Sequence, residues 1–356
     1  MGKHFFLLCS WAFLCLIPGT LSAAENNYNV LFIQSYTNSA SWHDNLITGL
    51  QNGLEKGGVK ADVVTEYLNA DFWTFASECV IMRRICERAR QRKTDLIVTS
   101  SDEAFFTLTH CGDSLPYQIP VVVSGIKYPD KKLFDRMPNV SGFTSKTDFN
   151  VLLEEAIRLF PARKEIVCLT DSSFLSSKGV EAVEDAWVAF KEKHPGYSLK
   201  KLNVQEKSLN TIITSICYDY HAYKHIVIAP KWIPFLSLKL KAPVFANQNL
   251  AMTSGVLCVY DVEPAADTYA AGVQAADILK GRSFGVGDLD GKLLFDYKQL
   301  DFFHVDVESV EKRGTILNVP LMDRYRVWFI LFYSVTVGAL AFLVAWLYRS
   351  NRREAR

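Results

Sequence analysis

Short apolar runs alternate along this chain with longer stretches whose apolar residues recur at helical spacing. Residues 30–34 (VLFIQ) form one such run, and Leu46, Ile47, Leu50 and Leu54 follow at the three-and-four spacing of a helix over 45–56. Gly57 and Gly58 end that helix. Val63 and Val64 mark a second strand. A long helix is predicted over 75–91, with Ile81, Ile85 and Ala89 on one face and its arginines solvated. A third strand at 96–99, a helix at 104–110 and a fourth strand at 120–124 complete the series. The pattern then restarts with a helix at 149–160 and a strand at 166–169. A helix at 179–193, a strand at 199–202, a helix at 209–220 and a strand at 226–228 follow. A short helix at 235–240 leads to a strand at 243–246. Apolar strands separated by helices imply right-handed crossovers and parallel sheets with both faces covered. Two successive series predict an α/β protein of two doubly wound parallel-sheet lobes. The joins fall around 142–147, 255–261 and 281–292. Several short crossings of this kind make a hinge.

The two ends carry membrane signals. Lys3 and His4 precede an apolar run at 5–17, Pro18 and Gly19 break it, and Leu21-Ser22-Ala23 offers small residues for a peptidase. This is the pattern of a signal peptide over 1–24. Residues 327–347 are apolar apart from Ser334 and Thr336, a length that matches a hydrocarbon core of about 30 Å. Trp328, Trp346 and Tyr348 sit near its ends, and Arg349, Arg352, Arg353 and Arg356 follow it. Aromatic belts and positive flanks of this kind favour a single-pass transmembrane helix with a cytoplasmic C-terminus. The expected organisation is therefore a signal peptide (1–24), a first lobe (25–144, with the helix 263–280 returning to it), a second lobe (145–260, with 292–314 returning to it), a transmembrane helix (327–347) and a short cytoplasmic tail (348–356). The two lobes would lie in the periplasm, held at the inner membrane.

A net charge of +1 gives no reason to expect nucleic acid as a partner. Six cysteines follow the signal peptide, without a C-x-x-C or zinc spacing. Cys168 and Cys258 sit in apolar runs and read as buried thiols. Cys111 with either Cys79 or Cys86 suits a bridge in an oxidising compartment, and free thiols suit the same spacing. G-x-S-x-G, P-loop, H-E-x-x-H and G-x-G-x-x-G patterns are missing, so neither catalysis nor a cofactor or metal is expected.

Ligands of parallel sheets bind beyond the carboxyl ends of the strands. Those positions hold Ser35 and Tyr36, with Trp42 a few residues on in a polar stretch read as a loop; Ser100, Ser101 and Asp102, with Glu103 next; and Ser124. In the second series they hold Asp171, Ser172 and Ser173, then Trp232 after Pro230, then Asn247 and Gln248. Hydroxyls, carboxylates, amides and rings suit a small polar or aromatic ligand. Ser101, Asp102 and 171–173 read equally as helix caps, and Trp232 equally as packing between lobes.

Several segments resemble a known family. The opening VLFIQSY with Trp42, the turn TSSDEA (99–104), the stretch NVSGFT (139–144) and above all YDVEPAADTYAAGVQAADILKG (260–281) are similar to the periplasmic-binding-protein-like (type I) family of ABC-transporter substrate-binding type. FFHVDVESVEKRG (302–314) resembles that family's final strand and helix. The family also supplies the sensor regions of membrane histidine kinases. The resemblance implies a small-molecule ligand held between closing lobes. It also implies either a sensory input module, with a homodimer mate or membrane kinase as reader, or a tethered component of an ABC uptake system with a permease partner. A truncated sensor part of a hybrid kinase is a further expectation, since about eight residues follow the span and none is a phosphoacceptor histidine.

Overall fold

The computed structural model describes residues 27–36, 40–70, 74–171, 173–204, 224–230, 241–248, 255–263, 265–282 and 285–354, with side chains undescribed at 40–43, 174 and 354. The signal peptide and the helices expected at 209–220 and 235–240 lie outside the described residues. In chain order the elements are β1 (Asn27–Gln34), α1 (Ala40–Lys56), β2 (Lys60–Tyr67), α2 (Phe75–Gln91), β3 (Leu96–Ser100), α3 (Asp102–Cys111), α4 (Leu115–Gln118), β4 (Val121–Ile126), α5 (Lys131–Arg136) and β5 (Val140–Thr144). There follow α6 (Phe149–Leu159), β6 (Glu165–Thr170), α7 (Phe174–Lys193), β7 (Ser198–Asn203), β8 (His225–Ala229), β9 (Val244–Ala246) and β10 (Cys258–Asp261). The chain closes with α8 (Ala266–Leu279), β11 (Val286–Asp288), β12 (Lys292–Asp296), α9 (Tyr297–Phe302), α10 (Val307–Glu311), β13 (Gly314–Leu317), α11 (Leu321–Arg324) and α12 (Arg326–Glu354).

Two α/β lobes result. The first sheet has the order β11-β5-β4-β3-β1-β2 and the second β13-β12-β10-β9-β8-β6-β7. Strand alternation builds a core on both faces of each sheet. Leu31 and Ile33 pack under α2 and α3, while Val30 and Phe32 face α1 and α8. Ile166 and Cys168 likewise face α6 and α7, and Val167 and Leu169 the opposite side. Cys79 on α2 is bridged to Cys111 at the end of α3. Cys86, Cys168 and Cys258 are buried free thiols.

Helix α8 packs against α1 at backbone distance. Gly49 and Gly53 of α1 and Gly57 just past its end lie four apart, and a methyl group on Gly53 would overlap the backbone of Tyr269 and Gly272. Strand β11 then pairs in parallel with β5, so the chain visits the first sheet a second time before β12 enters the second.

That route explains a departure from the expected all-parallel lobes: β12 runs antiparallel to β10. Strand β10 ends at the crossing into the first lobe, and β12 starts where the chain crosses back. It therefore runs away from the hinge, without a helix to reverse it. The segments around 142–147 and 255–261, expected as joins, contain the end of β5 and the whole of β10. Gly142 hid the former: its φ of 127° and its close approach to the Val123 backbone are open to glycine alone. In 302–314 the strand follows the helix rather than preceding it. Trp42 lies within α1 rather than in a loop.

Among the described residues, the contacts that fasten the C-terminal helix lie on the second lobe. Strand β13 pairs with β12, Asn318 donates to Asp296 (2.7 Å), and Arg313 donates to the fully buried Glu155 (2.7 Å). Tyr297 and Asp323 hydrogen-bond just ahead of α12. Residues Arg326–Arg353 of α12 are long and apolar enough to cross a membrane, and none of that segment is buried. At 1.5 Å per residue its 28 residues reach about 42 Å.

Candidate functional site

Strands β1, β3 and β4 run parallel to β5, and β6, β8 and β9 parallel to β10. The chain leaves both β5 and β10 toward the other lobe, so the carboxyl ends of both sets meet at the seam between the lobes. On the first lobe, Ser35 donates to the Ser100 carbonyl (2.6 Å) and accepts from the Ala104 amide (2.9 Å). Its hydroxyl thus ties β1 to β3 and caps α3. Ser101 adopts φ 71° and ψ 167°, a region nearly closed to side-chain-bearing residues, and its amide donates to the Ser124 carbonyl (2.9 Å). Asp102 accepts from the amides of Lys127 (2.9 Å) and Tyr128 (2.9 Å). Its burial outweighs those bonds and raises its pKa. Ser124 is buried beside Asp267 at the start of α8.

Three side chains of the first lobe then reach the second. Tyr36 donates to Glu103 Oε1 (2.8 Å) and accepts from Gln248 Nε2 (2.9 Å). Burial, with Glu103 beside it, pushes the Tyr36 phenol well up. Tyr128 donates to the Pro230 carbonyl (2.9 Å) and accepts from Asn247 Nδ2 (2.7 Å). Burial and then Asp102 raise the Tyr128 phenol well above its usual range. Asn247 Oδ1 is buried with no partner among the described residues. Lys127 forms an ion pair with Asp261 in which both side chains are almost fully buried. Asp267 stands beside this pair, and burial followed by the Asp261 charge pushes its carboxyl up to about 6.

Asp171 and Ser173 start α7: Asp171 accepts from the Ser173 amide (2.8 Å), and Ser173 caps the helix through the Ser176 amide (3.2 Å). Ser172, Trp232 and the side chain of Trp42 lie outside the described residues. The geometry thus draws Tyr36, Ser124, Asn247 and Gln248 to the seam, and gives Ser35 and Asp102 scaffolding bonds within the first lobe. It adds Glu103, Lys127, Tyr128, Asp261 and Asp267. Lys127 and Tyr128 directly follow β4, so the strand-end rule reaches them; what hid them was the strand's extension to Ile126.

Beside these contacts the seam opens into a chamber of about 960 Å³, within the upper range for ligand pockets. Phe105, Phe106, Leu133 and Phe134 line it from the first lobe, and Leu175, Lys178 and Ala182 of α7 from the second. No group of His, Cys, Asp or Glu able to hold a metal ion occurs among the described residues.

No protein-family model matches the chain, and no curated protein matches its sequence. Solved structures do share its fold. The ABC domain in complex with L-Trp from Streptococcus pneumoniae superposes with a TM-score of 0.62 at 19% identity, covering 82% of this chain and 100% of its own. A conserved domain protein from Vibrio cholerae gives 0.61 at 18% identity, over 82% and 99%. The ligand-free, open structure of a substrate-binding protein with adhesive properties from Clostridium difficile gives 0.58 at 17% identity, over 82% and 100%. Two parallel-sheet lobes, three crossings and strand ends meeting at a seam give this chain the fold of the type I periplasmic substrate-binding proteins.

Proposed function

We propose that the chain is a membrane-anchored, extracytoplasmic small-molecule-binding protein that acts as a signal-input module by closing its two lobes. The carrying observation is that the seam is bridged by side chains from both lobes while, among the described residues, α12 is fastened through the second lobe. Movement of the first lobe about the crossings then changes what the membrane helix experiences, to be read by a homodimer mate or a membrane kinase. The ligand contacts we assign are Tyr128 and the aromatic and cationic lining of the chamber, with Tyr36, Glu103, Ser124, Asn247 and Gln248 at the seam beside it. A ligand that binds the closed form better shifts the balance by its differential affinity.

Full-length protein in detergent micelles, melted against amino acids, sugars, nucleobases and small organic anions, tests the binding. A true ligand at a hundred times its Kd stabilises by about 2.7 kcal/mol. Silence from every class would remove the binding reading. Disulfide crosslinking between α12 helices, scanned with and without ligand, tests the signalling. An unchanged pattern with bound ligand would remove it. The solved substrate-binding relatives favour a second reading, a tethered subunit delivering ligand to a permease. Transport that persists after deletion of this chain would exclude that.

A further inference from the structure

The chamber at the seam has an unequal charge lining, and from it we infer the ligand's class: an organic anion with an apolar, preferably aromatic, body. This rests on the reading of the seam as a ligand site. The floor is apolar, with Phe105 and Phe134 stacked at 5.4 Å and Leu133 buried between strand and helix. The rim is cationic. Lys131, Lys132 and Arg136 of α5 face it, with Lys146 at the first crossing and Lys178 on α7.

Among the described residues, two carboxylates line the chamber, and both accept backbone amides. Asp102 takes the amides of Lys127 and Tyr128, and Asp130 takes those of Lys132 (2.9 Å) and Leu133 (3.3 Å) to start α5. An ammonium group in the chamber therefore meets two carboxylates that already accept backbone amides, set among six Lys and Arg side chains. Lys131, Lys132 and Arg136 form no ion pair among the described residues, whereas Lys146 and Lys178 have Asp288 (3.5 Å) and Glu181 (2.7 Å) nearby. The three α5 cations are thus the ones available to a ligand carboxylate, as charge-assisted donors above an aromatic floor. A zwitterionic amino acid fits this lining less well than an aryl carboxylate of the same size.

The test uses full-length protein in micelles and three probes of matched shape: phenylacetate, phenylacetamide and phenylalanine, titrated by calorimetry. Phenylacetate is expected to bind at least about tenfold more tightly than either other probe, the worth of one charge-assisted bond. Lys131→Gln combined with Arg136→Gln should remove that advantage. The exposed positions of both residues keep the ligand-free melting temperature as a control of folding. Equal affinity for the amide, or undiminished phenylacetate binding in the double variant, overturns the anion assignment and leaves the seam as a ligand site. Failure of all three probes also overturns the assignment. The broad ligand screen then separates that result from loss of the binding reading itself, since another class would still bind.

Discussion

The seam between the lobes has two halves built from the same loops. In one, Tyr36, Tyr128 and Lys127 of the first lobe meet Gln248, Asn247, Pro230 and Asp261 of the second through buried, directional contacts. In the other, a few residues further along the loop after β4, exposed cations stand over an aromatic floor with an opening between the lobes. The first half holds the lobes at one distance, because buried polar atoms are costly to separate from their partners. The second half tolerates change, because water can solvate its charges. Under the proposed function, closing on a ligand needs both a latch and a chamber, and residues 127 and 128 belong to each.

The sharpest break of that contrast is Lys127→Ala. It leaves the Asp261 carboxylate buried without its ammonium partner, and a loss of about 3–5 kcal/mol is expected in denaturant unfolding of the full chain in micelles. Asp267 tests the same cluster through pH. Its carboxyl is raised from an unfolded value near 3.8 to about 6, so the folded state holds its proton more tightly. That contribution is fully present below about pH 3.8 and is lost as pH rises through about 6. Asp267→Asn, which stays neutral, should gain on the parent by on the order of 3 kcal/mol above pH 6, with the gap closing below pH 4. Melting curves of the two proteins across that range check it.

Tyr128→Phe removes the hydroxyl shared by Pro230 and Asn247 and should weaken the closed form by about 1–2 kcal/mol. Spin-label distances across the seam would read this as a larger open population, and an unaltered distribution would show that the latch lies elsewhere. At the small end, Lys131→Gln with Arg136→Gln should shift unfolding by less than about 0.5 kcal/mol. A loss comparable to that of Lys127→Ala would erase the distinction between the two halves.

The contrast also shows what sequence patterning reaches. The helix over 75–91 was legible residue for residue, because its apolar spacing and its flanks agree. The strands at 96–99 and 166–169 were legible to within a residue or two, since continuous apolar runs between helices have few other uses. Strands β5 and β10 were not: one carries Gly142, the other is four residues long, and both border crossings where turn residues mask the pattern. At the seam, Tyr36, Asn247 and Gln248 followed from the strand-end rule; the same rule nominated Ser35, whose bonds stay within the first lobe, and Asp102, which lines the chamber while its own bonds stay within that lobe. A polar residue after a strand has two physical uses, capping and contact, and its sequence neighbourhood is the same for both.

Apolar periodicity and chain chirality alone determined two parallel-sheet lobes, the edge of each sheet that faces the other, and a C-terminal helix able to cross a membrane. Those properties are local or follow from connection rules, and each repeats over many residues. Only the tertiary structure decided which polar groups bond across the seam, that Cys79 rather than Cys86 pairs with Cys111, and that β12 reverses direction. It also decided that α12 is tied to the second lobe. These depend on contacts between residues up to 212 positions apart, as for Tyr36 and Gln248, and no local pattern encodes a distance of that kind.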